Sequence, residues 1–145
     1  MKKFFLATLI ALVGLAQQVF AADVVNNTAC DVDVTAVVYN TSTCAVTVTC
    51  MTVTVAAHST ATLPGCVAIG TSELLGFNVC WAAYTCTKQP CVSIGNSTGA
   101  HPCTQFPAGP VYLSTACTPC TTATPEVKIS WGPAVSTGGA NLIIG

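Results

Sequence analysis

Charge is what this sequence has least of. Its 145 residues include four Lys or Arg and five Asp or Glu, 6% of the chain, where about a quarter is usual for a globular protein. Beyond residue 21 the acids are Asp23, Asp31, Asp33, Glu73 and Glu126, and the only bases are Lys88 and Lys128. That scarcity excludes the basic face a nucleic-acid partner requires and the cationic helix face that lies on an anionic membrane. A surface wetted by Thr, Ser and Asn in place of charge also does little to keep copies apart.

Catalytic patterns are missing too. There is no Gly-x-Ser-x-Gly elbow and no Cys-x-x-Cys-His haem site. No two acids stand where a glycosidase cleft would need them; Asp31 and Asp33, the closest in sequence, fit the wet face of a strand end. Histidine occurs twice, as His58 in an expected turn and His101 before Pro102. A zinc site would need thiolates that an oxidising compartment does not keep reduced. The expectation is a protein that is not an enzyme, with no catalytic residues, metal site or cofactor.

What the chain does have is cysteine. Cys30, Cys44, Cys50, Cys66, Cys80, Cys86, Cys91, Cys103, Cys117 and Cys120 all lie beyond an opening stretch that reads as an export signal. Met1-Lys2-Lys3 is a short positive start, Phe4 to Leu15 an apolar run, and Val19-Phe20-Ala21 a small-residue cleavage motif. Residues 1–21 are therefore expected to be a Sec signal peptide cut after Ala21. Its apolar run is too short for a stable spanning helix, so no membrane span is expected after cleavage. Residues 22–145 are expected to form one secreted domain at the cell surface, in the periplasm or outside the cell, with every cysteine oxidised.

Period-two patterns dominate the rest. Val32, Val34, Ala36 and Val38 alternate with Asp31, Asp33 and Thr35, and Asn40-Thr41-Ser42 follows as a turn. Cys44, Val46, Val48 and Cys50 share one face, but beyond Cys50 the apolar residues are Met51, Val53 and Val55. A β-bulge near Cys50-Met51 reconciles the two phases and turns Val46, Val48, Val53 and Val55 to the core; two separate strands are the alternative. For Val32 and Val34 to share a face with Val46 and Val48, the first hairpin loop must have an odd length, three or five residues. A hairpin turning at His58 is expected next. Further strands are read at Phe77–Ala83, Val111–Leu113, Glu126–Trp131 and Asn141–Ile144. Seven or eight short strands with no convincing helix predict an all-β, disulfide-stapled β-sandwich of Ig-like or Greek-key type.

Spacing prunes the cysteine pairings. Cys44 and Cys50, six residues apart on one strand, would be about 20 Å from each other, whereas a bridge needs Cα atoms within about 7 Å. Cys80 with Cys86 is disfavoured for the same reason. Cys117-Thr118-Pro119-Cys120 runs into Thr121-Thr122-Ala123-Thr124-Pro125 rather than the helix that activates a redox thiol, so structural bridging is expected.

The irregular stretch Cys86–Pro110 is the natural place for a binding loop, with Lys88 and His101 its candidate contacts. Trp81 and Trp131 sit in the apolar phase of their strands and belong in the core rather than in a sugar-stacking platform with Tyr84. Asn26-Asn27-Thr28, Asn40-Thr41-Ser42 and Asn96-Ser97-Thr98 fit the glycosylation acceptor pattern but read as turns. Two functions remain. One is a structural subunit that partners itself in a filament, matrix or coat, adding strands through Val24-Val25 or Leu142-Ile143-Ile144. The other is a monomeric module that binds an extracellular glycan or protein through the 86–110 loop. An ice-binding row of Thr47, Thr49, Thr52 and Thr54 is a weaker variant of the second, because the bulge breaks its spacing.

Overall fold

Alternating sequence becomes two five-stranded sheets packed face to face. The computed structural model describes residues 18–40, 42–68, 72–95, 107, 109–132 and 140–145. The strands are β1 (Gln18–Asn26), β2 (Val32–Asn40), β3 (Val46–Thr49), β4 (Val53–Val55), β5 (Ser59–Ala68), β6 (Ser72–Trp81), β7 (Cys91–Gly95), β8 (Val111–Ser114), β9 (Glu126–Gly132) and β10 (Ala140–Ile144). One sheet runs β5-β1-β10-β9-β8; the other runs β3-β2-β6-β7, with β4 also on β2. No helix occurs among the described residues. The chain is a disulfide-stapled β-sandwich.

The core forms where the inward phases of the two sheets meet. Val24, Leu142, Ile144, Ile129 and Leu113 from the first sheet face Val32, Val34, Phe77, Val79, Trp81 and Ile94 from the second, all at most 1% exposed. Each such side chain contributes about 1.5–3 kcal/mol by leaving water. Trp81 stays satisfied because its indole N–H donates across the sandwich to the Ser114 carbonyl at 2.8 Å. Trp131 is half-buried against Phe77, ring centroids 4.7 Å apart. Neither tryptophan joins Tyr84 in a surface platform.

Two strands were not legible as such. β1 runs through the end of the expected leader and is an interior strand of the first sheet, parallel to β10 (Val24↔Leu142) and antiparallel to β5 (Val24↔Ala61). Its register shifts between Phe20 and Ala22, and the parallel ladder begins at Ala22↔Ala140. A cut after Ala21 would keep that parallel ladder but remove the pairs Gln18↔Ala68, Val19↔Val67 and Phe20↔Cys66 with β5; residues 1–17 lie outside the described residues. β7 lies inside the expected 86–110 loop, which is not one irregular stretch, because Cys91–Gly95 pairs with β6 from Cys80↔Cys91 to Gly76↔Gly95.

The phase reverses around Cys50-Met51, between two separate strands, β3 and β4, that both pair with β2. Three steps along β2, from Val37 to Val34, span four along its partner, from Thr49 to Val53. The Cys50 N–H still reaches Ala36 O (3.0 Å) and the Thr52 hydroxyl meets that of Thr35 (2.7 Å). Met51, 77% exposed, is the extra residue. Val55 is fully buried, Val53 packs against the main core, and Val48 packs on Val38.

Val46 departs from expectation. Five residues, 41–45, do separate β2 from β3, but the hairpin mouth pairs Tyr39 with Val46 and only then shifts to Val38↔Val48. Val46 is left on the outer face, 45% exposed. The turn at His58 is also not a hairpin: β4 pairs with β2 in one sheet and β5 with β1 in the other, so the chain crosses between sheets there.

A buried amide holds that crossing. The Asn26 side-chain N–H₂ group points at the carbonyls of Cys30 (2.7 Å), Val55 (3.1 Å) and Ala56 (3.0 Å). Its Oδ1 accepts from the Thr28 N–H (3.0 Å) and hydroxyl (2.7 Å). At 1% exposure it is closed to glycosylation. Asn40 is an Asx turn, its Oδ1 accepting from the N–H groups of Ser42 and Thr43. Asn96 lies outside the described residues.

Candidate functional site

All three described disulfides gather at one end of the sandwich, where β1, β4, β6, β8 and β10 finish and β2, β5, β7 and β9 begin. Cys30–Cys120 ties the β1–β2 corner to the β8–β9 loop, with Cα atoms 5.7 Å apart. Cys86–Cys117 ties the β6–β7 loop to the same β8–β9 loop at 5.3 Å, and Cys80–Cys91 staples β6 to β7 at 4.1 Å. The two cysteines of Cys117-Thr118-Pro119-Cys120 thus bridge to different segments, which removes the redox pairing. Cys44 and Cys50 are disulfide-bonded as well, and no described cysteine is free. Such bridging marks an oxidising, extracellular-type environment.

Threonines shape the loops between the staples. The β8–β9 loop closes on itself through the Thr115 N–H to Pro125 O (3.0 Å) and the Thr118 N–H to Thr115 O (3.2 Å). Hydroxyls of Thr115 and Thr122 both reach Thr124 O at 3.0 Å. The Thr85 N–H donates to Cys117 O at 2.6 Å, locking the two bridged loops side by side. Short hydroxyl side chains satisfy backbone groups that no ladder reaches.

Between the β1–β2 corner, the His58 turn and the β8–β9 loop lies an open depression of about 350 Å³. No charged side chain lines it. Asn27, His58 and Thr121 are exposed on its rim, and Val127, Ala29 and Ala123 give it apolar surface. His58 holds a left-handed backbone (φ 50°) while its N–H donates to Thr28 O at 3.0 Å. Such a conformation is uncommon for a residue other than glycine, and histidine adopts it more readily than most.

The sequence candidates are scattered by the fold. Val24, Leu142 and Ile144 are core; Val25 and Ile143 are half-buried cross-strand neighbours on the outer face of the first sheet. Strand addition through Val24-Val25 or Leu142-Ile143-Ile144 would need an open edge, but both lie in interior strands, β1 between β5 and β10 and β10 between β1 and β9. Lys88 is exposed in the β6–β7 loop at the stapled end. His101 and Cys103 lie outside the described residues. Thr49, Thr52 and Thr54 are exposed, but Thr52 bonds to Thr35 and Thr54 to Asp33 (both 2.7 Å), so their hydroxyls are partly used within the sheet. Asp33 also accepts from Gln89 Nε2 at 3.3 Å, and Asp31 accepts from the Ala57 N–H at 2.8 Å, leaving neither acid poised in a cleft.

The flanks of the sandwich differ. On one side β7 lies beside β8, and the chain itself spans them through Cys86–Cys117 and the Gly95 N–H to Pro107 O bond at 2.9 Å. On the other, β3 and β4 lie beside β5 as the outer strands of their sheets. No Asp, Glu, Lys or Arg occurs from Val34 to Ser72, which contains all three strands and a single proline, Pro64. That continuous uncharged stretch is visible in the sequence; its meaning as a flank required the topology.

In comparison with known proteins, no family model, curated protein or solved structure matches the chain.

Proposed function

We propose that this is a non-enzymatic, exported structural protein that assembles with copies of itself into an extracellular filament, matrix or surface coat. The β3–β4–β5 flank carries this reading. Outer strands present unpaired backbone N–H and C=O groups, and proteins that stay monomeric blunt them with charge, proline or short length. β5 is ten residues long and uncharged, with one proline, Pro64. Thr- and Val-rich β3 and β4 beside it are short, four and three residues, and uncharged as well, so charge is the device this flank lacks. Strand addition there would extend both sheets without a like-charge penalty, and the disulfides would keep each subunit folded outside the cell.

Light scattering with size-exclusion chromatography tests it. Wild-type oxidised protein should elute as concentration-dependent multimers. Thr49→Lys and Thr60→Lys, which place charge on exposed positions of β3 and β5, should give monomers with a melting temperature within a few degrees of wild type. A single-chain mass for wild type at every concentration would overturn the proposal.

The second reading, a monomeric binding module for an extracellular glycan or protein, draws support from the two bridges that fix the 86–95 stretch. The same size measurement favours it when no multimer forms.

A further inference from the structure

We infer that the depression at the stapled end is a binding site for a neutral sugar unit of an extracellular glycan. It goes beyond assembly, since it uses the loops at the end of the sandwich rather than its strand edges.

The site is built rather than incidental. Its walls come from chain segments far apart in sequence, held by the Cys30–Cys120 bridge and the buried Asn26 amide. Rigidity of this kind lowers the ordering cost of binding. The volume, about 350 Å³, falls in the range of small-molecule sites, about 300–1,000 Å³.

Its chemistry selects the ligand. Among the described residues, the exposed Asn27 amide, His58 imidazole and Thr121 hydroxyl make no hydrogen bond of their own, and each comes from a different one of the three segments around the depression. Together they offer both donors and acceptors. Absence of a charged lining side chain argues against phosphate, sulfate or carboxylate ligands, which need a cationic or helix-terminus partner. The apolar part consists of small side chains, Ala29, Ala123 and Val127, with no deep pocket for a large aromatic or acyl group. A ring with C–H groups on one face and hydroxyls at its edge matches both halves.

Saturation-transfer difference NMR with a panel of neutral mono- and oligosaccharides, backed by calorimetric titration, tests the inference on monomer or assembly alike. At least one neutral saccharide should bind saturably. Asn27→Ala should weaken it about tenfold, and Ala123→Trp, which fills the depression, should abolish it with the melting temperature preserved. Binding confined to acidic or sulfated sugars, binding that survives Ala123→Trp, or no binding across the panel would each overturn it. A monomeric wild-type protein that still binds sugar in this way would sink the assembly proposal alone.

Discussion

Asn26 and Gly76 show how much of this fold depends on single positions. The Asn26 amide reaches three carbonyls from two segments, Cys30 and Val55-Ala56, while only 1% exposed. Asn26→Ala removes a donor to Val55 O and the acceptor of the buried Thr28 N–H, while Cys30 O keeps the Thr28 hydroxyl (3.0 Å) and Ala56 O keeps the Ser59 hydroxyl (2.7 Å); an unsatisfied buried polar group costs about 1–3 kcal/mol. Urea denaturation should show a loss of at least that size, whereas Asn27→Ala, on an exposed neighbour, should change stability by no more than about 0.5 kcal/mol. Gly76 is buried on β6, and a Cβ there would stand 2.2 Å from Ile94 O. That atom is backbone of the paired strand β7 and cannot swing aside. Gly76→Ala should therefore cost about 1–3 kcal/mol, as overpacking usually does; an unchanged melting temperature would refute the close approach. Asn26 was visible in the sequence only as part of a turn, because its partners come from positions up to thirty residues away.

At the scale of elements, the strands were legible wherever one face is wet. Alternation in β2, β6 and β9 is visible because polar residues mark the solvent side, and β10 is visible as a short apolar run after a Gly-rich turn. The bulge after β3 was legible for the same reason, since a slip in phase is a sequence signal. β1 was missed because its first residues overlap the leader pattern, and β7 because Cys, Pro and Gly around it read as a loop. Val46 was misplaced by a second register shift, between Val38 and Tyr39, that a short Thr/Val run does not reveal. Which sheet each strand joins was not legible at all, and the candidate site suffered accordingly: its rim residues share no motif and meet only through topology. The bulge yields a sharp test. Deleting Met51 would close the ladder with Cys50 opposite Ala36 and Thr52 opposite Thr35, keeping Val53↔Val34 and Val55↔Val32. The deletion variant should stay folded, within about 1 kcal/mol of wild type. Val55→Asp, which puts a charge at a fully buried site, should unfold it or cost several kcal/mol. An unfolded Met51 deletion would mean that the extra residue lies elsewhere.

Taken whole, the molecule combines a modest two-sheet core with its three described bridges at one end and an uncharged flank along one side. Cys30–Cys120 closes a separation of 90 residues and Cys80–Cys91 one of 11. On loop entropy alone the first contributes about 4–5 kcal/mol and the second about 3. Replacing each pair with alanines should reproduce that order in denaturant midpoints. Equal losses would point instead to local strain or packing at the bridges. Stability secured covalently lets the surface dispense with charge, and a surface without charge is one on which copies can meet. Self-assembly is the central claim, and negative-stain microscopy of the oxidised, exported protein tests it most directly. Ordered filaments or sheets in wild type, absent from Thr49→Lys and Thr60→Lys, are the expected result. A uniform field of single particles of one-chain size, under every concentration and ionic strength tried, would contradict it.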